Sequence, residues 1–146
     1  MSTIVVGIDG SPGSLHALGF AIAEARLRGA DLKAVAAWEI PASVYSASWV
    51  PMSVDPGDFE SIAKGALQRS LEDAHAKDSG VNVTEVVRQG QAADVLVDEA
   101  EGADLLVVGT RGFGGFKGLL LGSVSQQCVH HAKCPVAIVP DGDRAS

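Results

Sequence analysis

The chain has 146 residues, 47% of them hydrophobic, and a formal net charge of −7. This length suits one domain with its own core, and the apolar content excludes a disordered chain. The acidic charge argues against nucleic acid or an anionic membrane as the main partner. Two cysteines do not form a disulfide framework, and neither a signal peptide nor a membrane-spanning run is recognisable. We therefore expect a single cytoplasmic domain over residues 1–146.

The first part of the chain alternates strand and helix signals. Residues 3–9 are rich in β-branched side chains, which favours a strand, and a Gly-Ser-Pro-Gly turn follows. Ser14 can cap the next helix, whose apolar residues recur at helical spacing until Gly29 ends it. Residues 31–38 predict the second strand.

Residues 39–58 differ from the rest of the chain. They contain three prolines and show no sustained periodicity of either a strand or a helix. Loops longer than about 12 to 15 residues are uncommon in compact domains and often have a function. The segment is interpreted either as a disordered insertion or as a long loop that acts as a lid or a dimer contact.

The rest of the chain continues the alternation of helix and strand. The predicted elements, in chain order, are a helix at 59–76, an edge or half-buried strand at 81–88, a short helix opened by Gly90 and closed by Gly102, a buried strand at 105–108, a helix at 123–132 and a strand at 136–139.

Strands that alternate with helices indicate an α/β fold with an open parallel sheet of five strands, helices on both faces and right-handed crossovers. In such sheets, ligands bind beyond the carboxyl ends of the strands, at the point where the strand order reverses. The alternating pattern alone leaves the strand order open.

The segment that follows the buried strand suits an anion. Six glycines lie from Gly109 to Gly122, and glycine lets backbone N–H groups approach a phosphate closely and permits positive φ, which we expect at Gly122. Ser123 is a good N-cap, and Gln126 completes a capping-box spacing. The free N–H groups and positive dipole end of the next helix should therefore face the loop, with the charge of Arg111 nearby.

Two other phosphate-binding loops fail on spacing. A Walker A loop needs Gly-Lys followed by Ser or Thr, and this loop contains no such tripeptide. A dinucleotide fingerprint belongs after the first strand, where Gly7, Gly10 and Gly13 are each three residues apart and do not match it. The alternative is that the glycines from Gly109 to Gly122 only form a flexible surface loop. The buried strand before the loop and the helix cap after it both fit an anion site and disfavour this alternative.

The spacing G-x2-G-x9-G-[ST] is complete here, at Gly109, Gly112, Gly122 and Ser123. It resembles the nucleotide loop of the universal stress protein family in its ATP-binding branch. The opening IVVGIDGS and the closing HAKCPVAIVP are similar to the same family, so the resemblance spans nearly the whole chain. It implies a Rossmann-like, adenine nucleotide alpha hydrolase-like fold with strand order 3-2-1-4-5, in which Asp9 and Gly109 meet at one crevice.

The resemblance also implies ATP as the ligand, with magnesium held through the phosphates. Asp9 would contact the nucleoside or the magnesium ion; otherwise, it only caps the turn through the backbone N–H of Ser11 or Gly13. The implied contacts around the phosphates are Gly109, Thr110, Arg111, Gly112, Gly122, Ser123, Val124 and Ser125.

The adenine end of the implied site lies at the ends of the first two strands. Ala37 or Trp38 would lie beside the adenine, and Gly7 and Ile8 flank Asp9. Glycine at position 7 departs from the family, in which proline is frequent at that place.

The implied function is a nucleotide-dependent sensor or regulator in stress adaptation, acting as a homodimer that pairs the strand Val136–Val139 across a two-fold axis. The alternatives are a slow ATPase or self-phosphorylating enzyme, and a binder of another adenine nucleotide such as cyclic AMP. The sequence has no G-x-S-x-G elbow and no evident general base, which places the enzyme second.

One cluster has metal-ligand residue types, and it comprises Cys128, His130, His131 and Cys134. On the predicted helix, Cys128 and His131 share a face while His130 points elsewhere, so the side chains do not converge on one zinc ion. We interpret the cysteines as core residues.

Overall fold

The computed structural model describes residues 2–40, 56–110 and 121–140. Strands and helices alternate along these residues, with one 3₁₀ turn at Ala76–Asp78. The elements are β1 (Thr3–Gly7), α1 (Pro12–Arg28), β2 (Asp31–Trp38), α2 (Pro56–Asp73), β3 (Val83–Gln89), α3 (Ala92–Glu99), β4 (Leu105–Gly109), α4 (Ser123–His131) and β5 (Val136–Val139).

The five strands form one parallel sheet in the order β3-β2-β1-β4-β5, which confirms the expected fold class and strand order. The order reverses between β1 and β4, where Ile4 pairs with Leu105 and Val6 with Val107. Because parallel neighbours end at the same edge, the turn after β1 and the segment after β4 leave the sheet side by side.

The sheet separates two apolar layers. Alternate residues of β1 face opposite sides: Ile4 and Val6 pack with Leu18 of α1 and Leu67 of α2, whereas Val5 packs with Leu96 of α3. All six side chains are at most 4% exposed, which is the burial expected of strands covered by helices on both faces.

Some element boundaries differ from the prediction. α1 is capped by Ser11, whose Oγ accepts the backbone N–H of Ser14 at 3.2 Å, so the predicted cap at Ser14 is wrong. Pro12 occupies the first helical turn, where a missing N–H costs nothing. α2 begins at Pro56, inside the predicted 39–58 loop, and residues 41–55 of that loop lie outside the described residues.

A network of ion pairs joins β2 and β3 to α3. Lys33 lies 3.0 Å from Glu99, and Arg88 lies 2.7 Å from Glu99 and 2.6 Å from Asp98. Burial opposes ionisation of Glu99, but the hydrogen bonds from Arg88 and Lys33 outweigh it, and the pKa of Glu99 is lowered. A carboxyl group with a lower pKa in the folded state adds stability above its unfolded pKa of about 4.3, and this contribution is lost as the pH falls.

Replacing Glu99 by glutamine tests this network. We expect Glu99→Gln to lower the free energy of unfolding by roughly 0.5 kcal/mol at neutral pH, because solvent screens part-exposed pairs, and to have a smaller effect near pH 3. Urea unfolding at both pH values measures this. Glu60→Gln, at an exposed position of α2, is the control and should change neither value. An equal loss for Glu99→Gln at both pH values would contradict the electrostatic assignment.

Candidate functional site

The turn after β1 is organised by polar side chains. Asp9 is exposed, and its Oδ1 accepts the backbone N–H of Ser11 at 2.8 Å. The backbone N–H of Asp9 donates to Ser14 Oγ at 3.3 Å, which ties the turn to the first turn of α1. Asp9 thus has the turn-capping contact considered from the sequence, while no described residue donates a hydrogen bond to its Oδ2.

The end of β4 touches the beginning of α1 through two glycines. A Cβ atom placed on Gly109 would lie 3.0 Å from the carbonyl oxygen of Gly13 and 3.1 Å from its carbonyl carbon. Real Cβ atoms rarely approach backbone this closely, so glycine at position 109 allows the N-terminus of α1 to pack on the end of β4. This contact brings the Asp9 turn and the start of the glycine segment to one place.

The N-terminus of α4 is hydrogen-bonded to Thr110, the residue that follows β4. The backbone N–H of Gly122 donates to the carbonyl oxygen of Thr110 at 2.6 Å. Ser125 is 2% exposed, and its Oγ lies 2.9 Å from the Thr110 oxygen and 3.1 Å from the Gly122 oxygen, both of which can accept its proton. The hydroxyl of Ser125 therefore positions the helix against Thr110.

The cap of α4 differs from the predicted one. Gly122 is the N-cap, Ser123 is the first helical residue, and no described side chain caps the helix. The predicted capping box is also wrong, because the side-chain amide of Gln126 donates to the Leu121 carbonyl at 3.1 Å. Gly122 has φ −75°, so the expected positive φ is wrong as well. The N–H of Gly122, the actual N-cap, is already bonded to the carbonyl oxygen of Thr110.

The uncapped N-terminus of α4 is the feature of this edge that can bind an anion. Backbone N–H groups in the first turn of a helix have no partner inside the helix, and the dipole adds partial positive charge there. The N–H groups of Ser123 and Val124 accordingly have no acceptor among the described residues. Such a terminus at the carboxyl edge of a parallel sheet is a ready anion site.

The other predicted site residues are distributed around this edge. Gly7 faces α3, where an added Cβ would lie 2.7 Å from Leu96 Cδ1, so a larger residue at this position would require the Leu96 side chain to shift. Ile8 is a buried core residue, and Ala37 packs against the α3 and α4 layer. The site residues that fall outside the described part of the chain are Arg111 and Gly112.

Trp38 ends β2 at the same edge of the sheet. Its carbonyl oxygen accepts the backbone N–H of Gly90 at 2.8 Å, which fixes the strand end beside β3. Its indole Nε1 is buried and has no hydrogen-bond partner among the described residues. The adenine contact that the resemblance implies for Trp38 stays a prediction.

Sequence reasoning did not assign a role in the site to Gly13, which provides the backbone surface against which Gly109 packs. The spacing of Gly10 and Gly13 after the first strand was visible in the sequence. That spacing carried no information about the distant contact with β4.

In the cysteine and histidine cluster the two cysteines are packing residues, whereas His130 and His131 are exposed. Cys128 is fully buried and Cys134 packs against the same layer, and both are free thiols. No group of three metal-ligand side chains converges within residues 2–40, 56–110 and 121–140. Burial, with a smaller contribution from Cys134, raises the pKa of Cys128 to about 11, and burial also raises the pKa of Cys134.

The two thiols should differ in reactivity. Since the thiolate is the nucleophile, we expect iodoacetamide at pH 8 to label Cys134 at least about tenfold faster than Cys128 in the folded protein, because Cys128 is also inaccessible. Peptide mass mapping over time measures both rates. In urea the two rates should become similar. Equal rates in the folded protein would contradict the burial of Cys128.

A sequence model of the universal stress protein family matches residues 1–140. The chain belongs to this family. Universal stress protein Rv2623 of Mycobacterium tuberculosis is 36% identical to it over 135 residues, which are 92% of this chain and 44% of that protein. The chain therefore spans less than half the length of the curated relatives that it matches first.

Solved universal stress protein structures share the fold. One in complex with cAMP is 30% identical, with a TM-score of 0.70, and the match covers 97% of this chain and 98% of that chain. Another, from Archaeoglobus fulgidus in complex with dAMP, is 24% identical, with a TM-score of 0.68 over 95% of this chain and 98% of that chain.

Proposed function

We propose that this protein binds an adenine nucleotide, ATP in the first instance, and acts as a nucleotide-dependent sensor or regulator in stress adaptation. The observation that carries the proposal is the uncapped N-terminus of α4, held against Thr110 at the edge where the strand order reverses. Membership of the universal stress protein family and the nucleotides bound by structural neighbours support the same assignment.

The phosphates would lie on backbone amides. The N–H groups of Ser123 and Val124, together with the glycine segment that contains Arg111 and Gly112, provide the positive potential that a chain of net charge −7 must concentrate locally. Asp9 would accept a hydrogen bond from the nucleoside through the oxygen that does not cap the turn.

Magnesium fits this site only if the phosphates of the nucleotide also coordinate it. Asp9 offers one exposed carboxylate, and the described residues contain no group of three ligands. Mg²⁺ is commonly bound by one or two carboxylates together with phosphate oxygens and water. Asp9 would therefore supply a single contact, and the ion would neutralise phosphate charge.

Experiment can determine which adenine nucleotide the protein binds. The bound ligands of the two neighbours, cAMP and dAMP, make a nucleoside monophosphate the second candidate. Mass spectrometry of whatever ligand co-purifies with the protein, followed by competition titration of ATP, AMP and cyclic AMP, would rank them. Absence of binding by all three at millimolar concentration would reject the proposed function.

A binding module and an enzyme differ in turnover. The module predicts stable occupancy by ATP with negligible release of phosphate. A slow ATPase or self-phosphorylating enzyme is the second candidate, and a steady-state rate of about one per second, ordinary for an enzyme, would establish it and reject the module. The two measurements are phosphate release and the amount of bound nucleotide, made on the same purified sample.

We also propose a cytoplasmic homodimer that pairs β5 across a two-fold axis. β5 lies at one edge of the sheet, and its four residues, two valines, an alanine and an isoleucine, are all half-buried. An apolar edge strand is a template for pairing with a second chain. No helix of the described residues has the length and apolar character needed to cross a membrane. Analytical ultracentrifugation tests the dimer.

A further inference from the structure

Phe20 is an exposed aromatic residue in the first half of α1. Its side chain is 39% exposed, although the neighbouring Ala17 and Leu18 are fully buried against the sheet. Residues 12–23 contain no aspartate, glutamate, lysine or arginine. This half of α1 is therefore largely apolar on its outer surface as well as its inner one, which is unusual for a helix that faces only water.

Two contacts show on which side of α1 Phe20 lies. Gly13, seven residues and about two turns before it, packs on Gly109 at the end of β4. Arg26, which is about 120° from Phe20 around the helix, donates from its Nε to the carbonyl oxygen of Ser79 at 3.1 Å, between α2 and β3. Phe20 therefore lies on the side of α1 that faces β4 and β5, away from α2.

The outer edge of β5 presents backbone groups from two residues. The carbonyl oxygens of Pro135 and Val139 accept N–H groups from β4 and the residue after it, at 2.9 and 3.2 Å. Backbone groups alternate in direction along a strand, so those of Val136 and Ile138 point away from β4. Pro140 is the next residue in this outward series, and it has no N–H to donate.

One antiparallel register of two β5 strands uses all of these groups. If Ala137 lies opposite Ala137 of a second copy, Val136 of each copy faces Ile138 of the other, and each such pair exchanges both of its hydrogen bonds. A register centred on Ile138 would place Val136 opposite Pro140 and lose a bond. The two-fold axis would therefore pass beside Ala137, whose side chain lies on the α1 face of the sheet.

Strand pairing of this kind leaves a gap on the α1 face. Each α1 lies over β1 and β4, so four strand spacings, about 19 Å, would separate the axes of the two α1 helices. A helix with its side chains is about 10 to 12 Å wide. The strip between the helices, above the paired β5 strands, would therefore be about 8 Å wide, and Ala137 is too small to fill it.

Phe20 lies at the level of this gap. Gly109 pairs with Val139 in the sheet, so Gly13, which packs on Gly109, marks the level of Val139. Phe20 is about 10 Å further along α1, toward the amino ends of the strands, and Ala137 is about 7 Å from Val139 in the same direction. Helical side chains lean toward the helix N-terminus, which brings the ring of Phe20 back toward Ala137.

We propose that α1 forms a second layer of the homodimer interface, in which Phe20 of each protomer fills the gap above the paired β5 strands. This inference rests on the β5 pairing proposed above and adds a helix surface to it. The occupant is a second copy of this chain, because the two-fold axis itself creates the gap and supplies the same aromatic side chain from both sides.

Sedimentation equilibrium of Phe20→Gln tests the contact. The dimer Kd should rise at least about tenfold, because two aromatic side chains leave the interface, while the circular dichroism spectrum stays that of the folded protein. Ile62→Gln is the matched control: Ile62 is 67% exposed on α2, away from β5. Although this change removes a more exposed apolar side chain, the Kd should stay within about twofold of the unsubstituted protein.

Cysteine cross-linking locates the residue independently of affinity. A bismaleimide with a hexane spacer should link Phe20→Cys into covalent dimers faster than Ile62→Cys, with the unsubstituted protein as the control for its own two thiols. Equal cross-linking of the two variants, an unchanged Kd for Phe20→Gln, or an equal rise for Ile62→Gln would overturn the α1 contact and leave the β5 dimer standing.

The oligomeric state of the unsubstituted protein separates this inference from the proposals on which it rests. A monomer at all concentrations would overturn both the α1 contact and the β5 dimer. Titration with ATP, made on the same samples, tests the nucleotide site separately, because Phe20 lies about 10 Å along α1 from the Gly13 contact at the nucleotide edge. Phe20→Gln should therefore bind ATP as the unsubstituted protein does.

Discussion

Replacing Gly109 by alanine is expected to lower the free energy of unfolding by about 1 to 3 kcal/mol, the usual cost of overpacking, and to weaken nucleotide binding at least about tenfold. The added Cβ would lie 3.0 Å from the carbonyl oxygen of Gly13, which is backbone and cannot rotate away. The N-terminus of α1 would therefore shift from the end of β4, and with it the Asp9 turn. Urea unfolding and calorimetric titration with ATP measure the two effects.

Gly19→Ala is the matched control for this prediction. Gly19 is exposed on α1, and a Cβ atom placed there meets nothing within 4 Å. Alanine in an exposed helix position should raise the free energy of unfolding by roughly 0.5 to 1 kcal/mol and leave ATP affinity unchanged. If both substitutions changed stability in the same direction, the contact between Gly109 and Gly13 would not be the cause.

Replacing Gly122 by valine is expected to reduce ATP affinity at least about tenfold while the circular dichroism spectrum stays that of the folded protein. Gly122 has φ −75° and ψ 172°, an extended conformation that valine adopts readily, so the backbone does not forbid the substitution. Gly122 is buried at the start of α4, and a branched side chain there would crowd the space beside the N–H groups of Ser123 and Val124.

A graded series makes this prediction specific. Gly122→Ala should weaken ATP binding less than Gly122→Val, because it adds one methyl group to the same buried position. Calorimetric titration of both variants with ATP gives the comparison. Unchanged affinity in both would show that the phosphates do not approach the α4 N-terminus.

The architecture could be predicted because its signals are local. The β-branched run of β1 and the apolar run of β4 are each followed by turn or cap residues. The spacing of apolar residues also changes between strands and helices. The strand order could not be obtained in this way, because alternation is compatible with several orders. It came from the resemblance to the family, and the pairing of β1 with β4 confirms it.

The details of the site depended on distant contacts and could not be predicted from local chemistry. Ser123 is a better N-cap than glycine by residue type, yet Gly122 has that place because its N–H is bonded to Thr110. Ser125, implied by the resemblance as a phosphate contact, has its hydroxyl directed to the carbonyl oxygens of Thr110 and Gly122. These bonds depend on β4 and α4 being neighbours.

The central claim is that backbone amides at the start of α4 hold the phosphates of an adenine nucleotide. A crystal structure grown with excess ATP tests it most directly. The account predicts phosphate oxygens within about 3 Å of the backbone nitrogens of Ser123 and Val124, with the nucleoside toward Asp9. Nucleotide density at another place, with only water at this helix end, would contradict it.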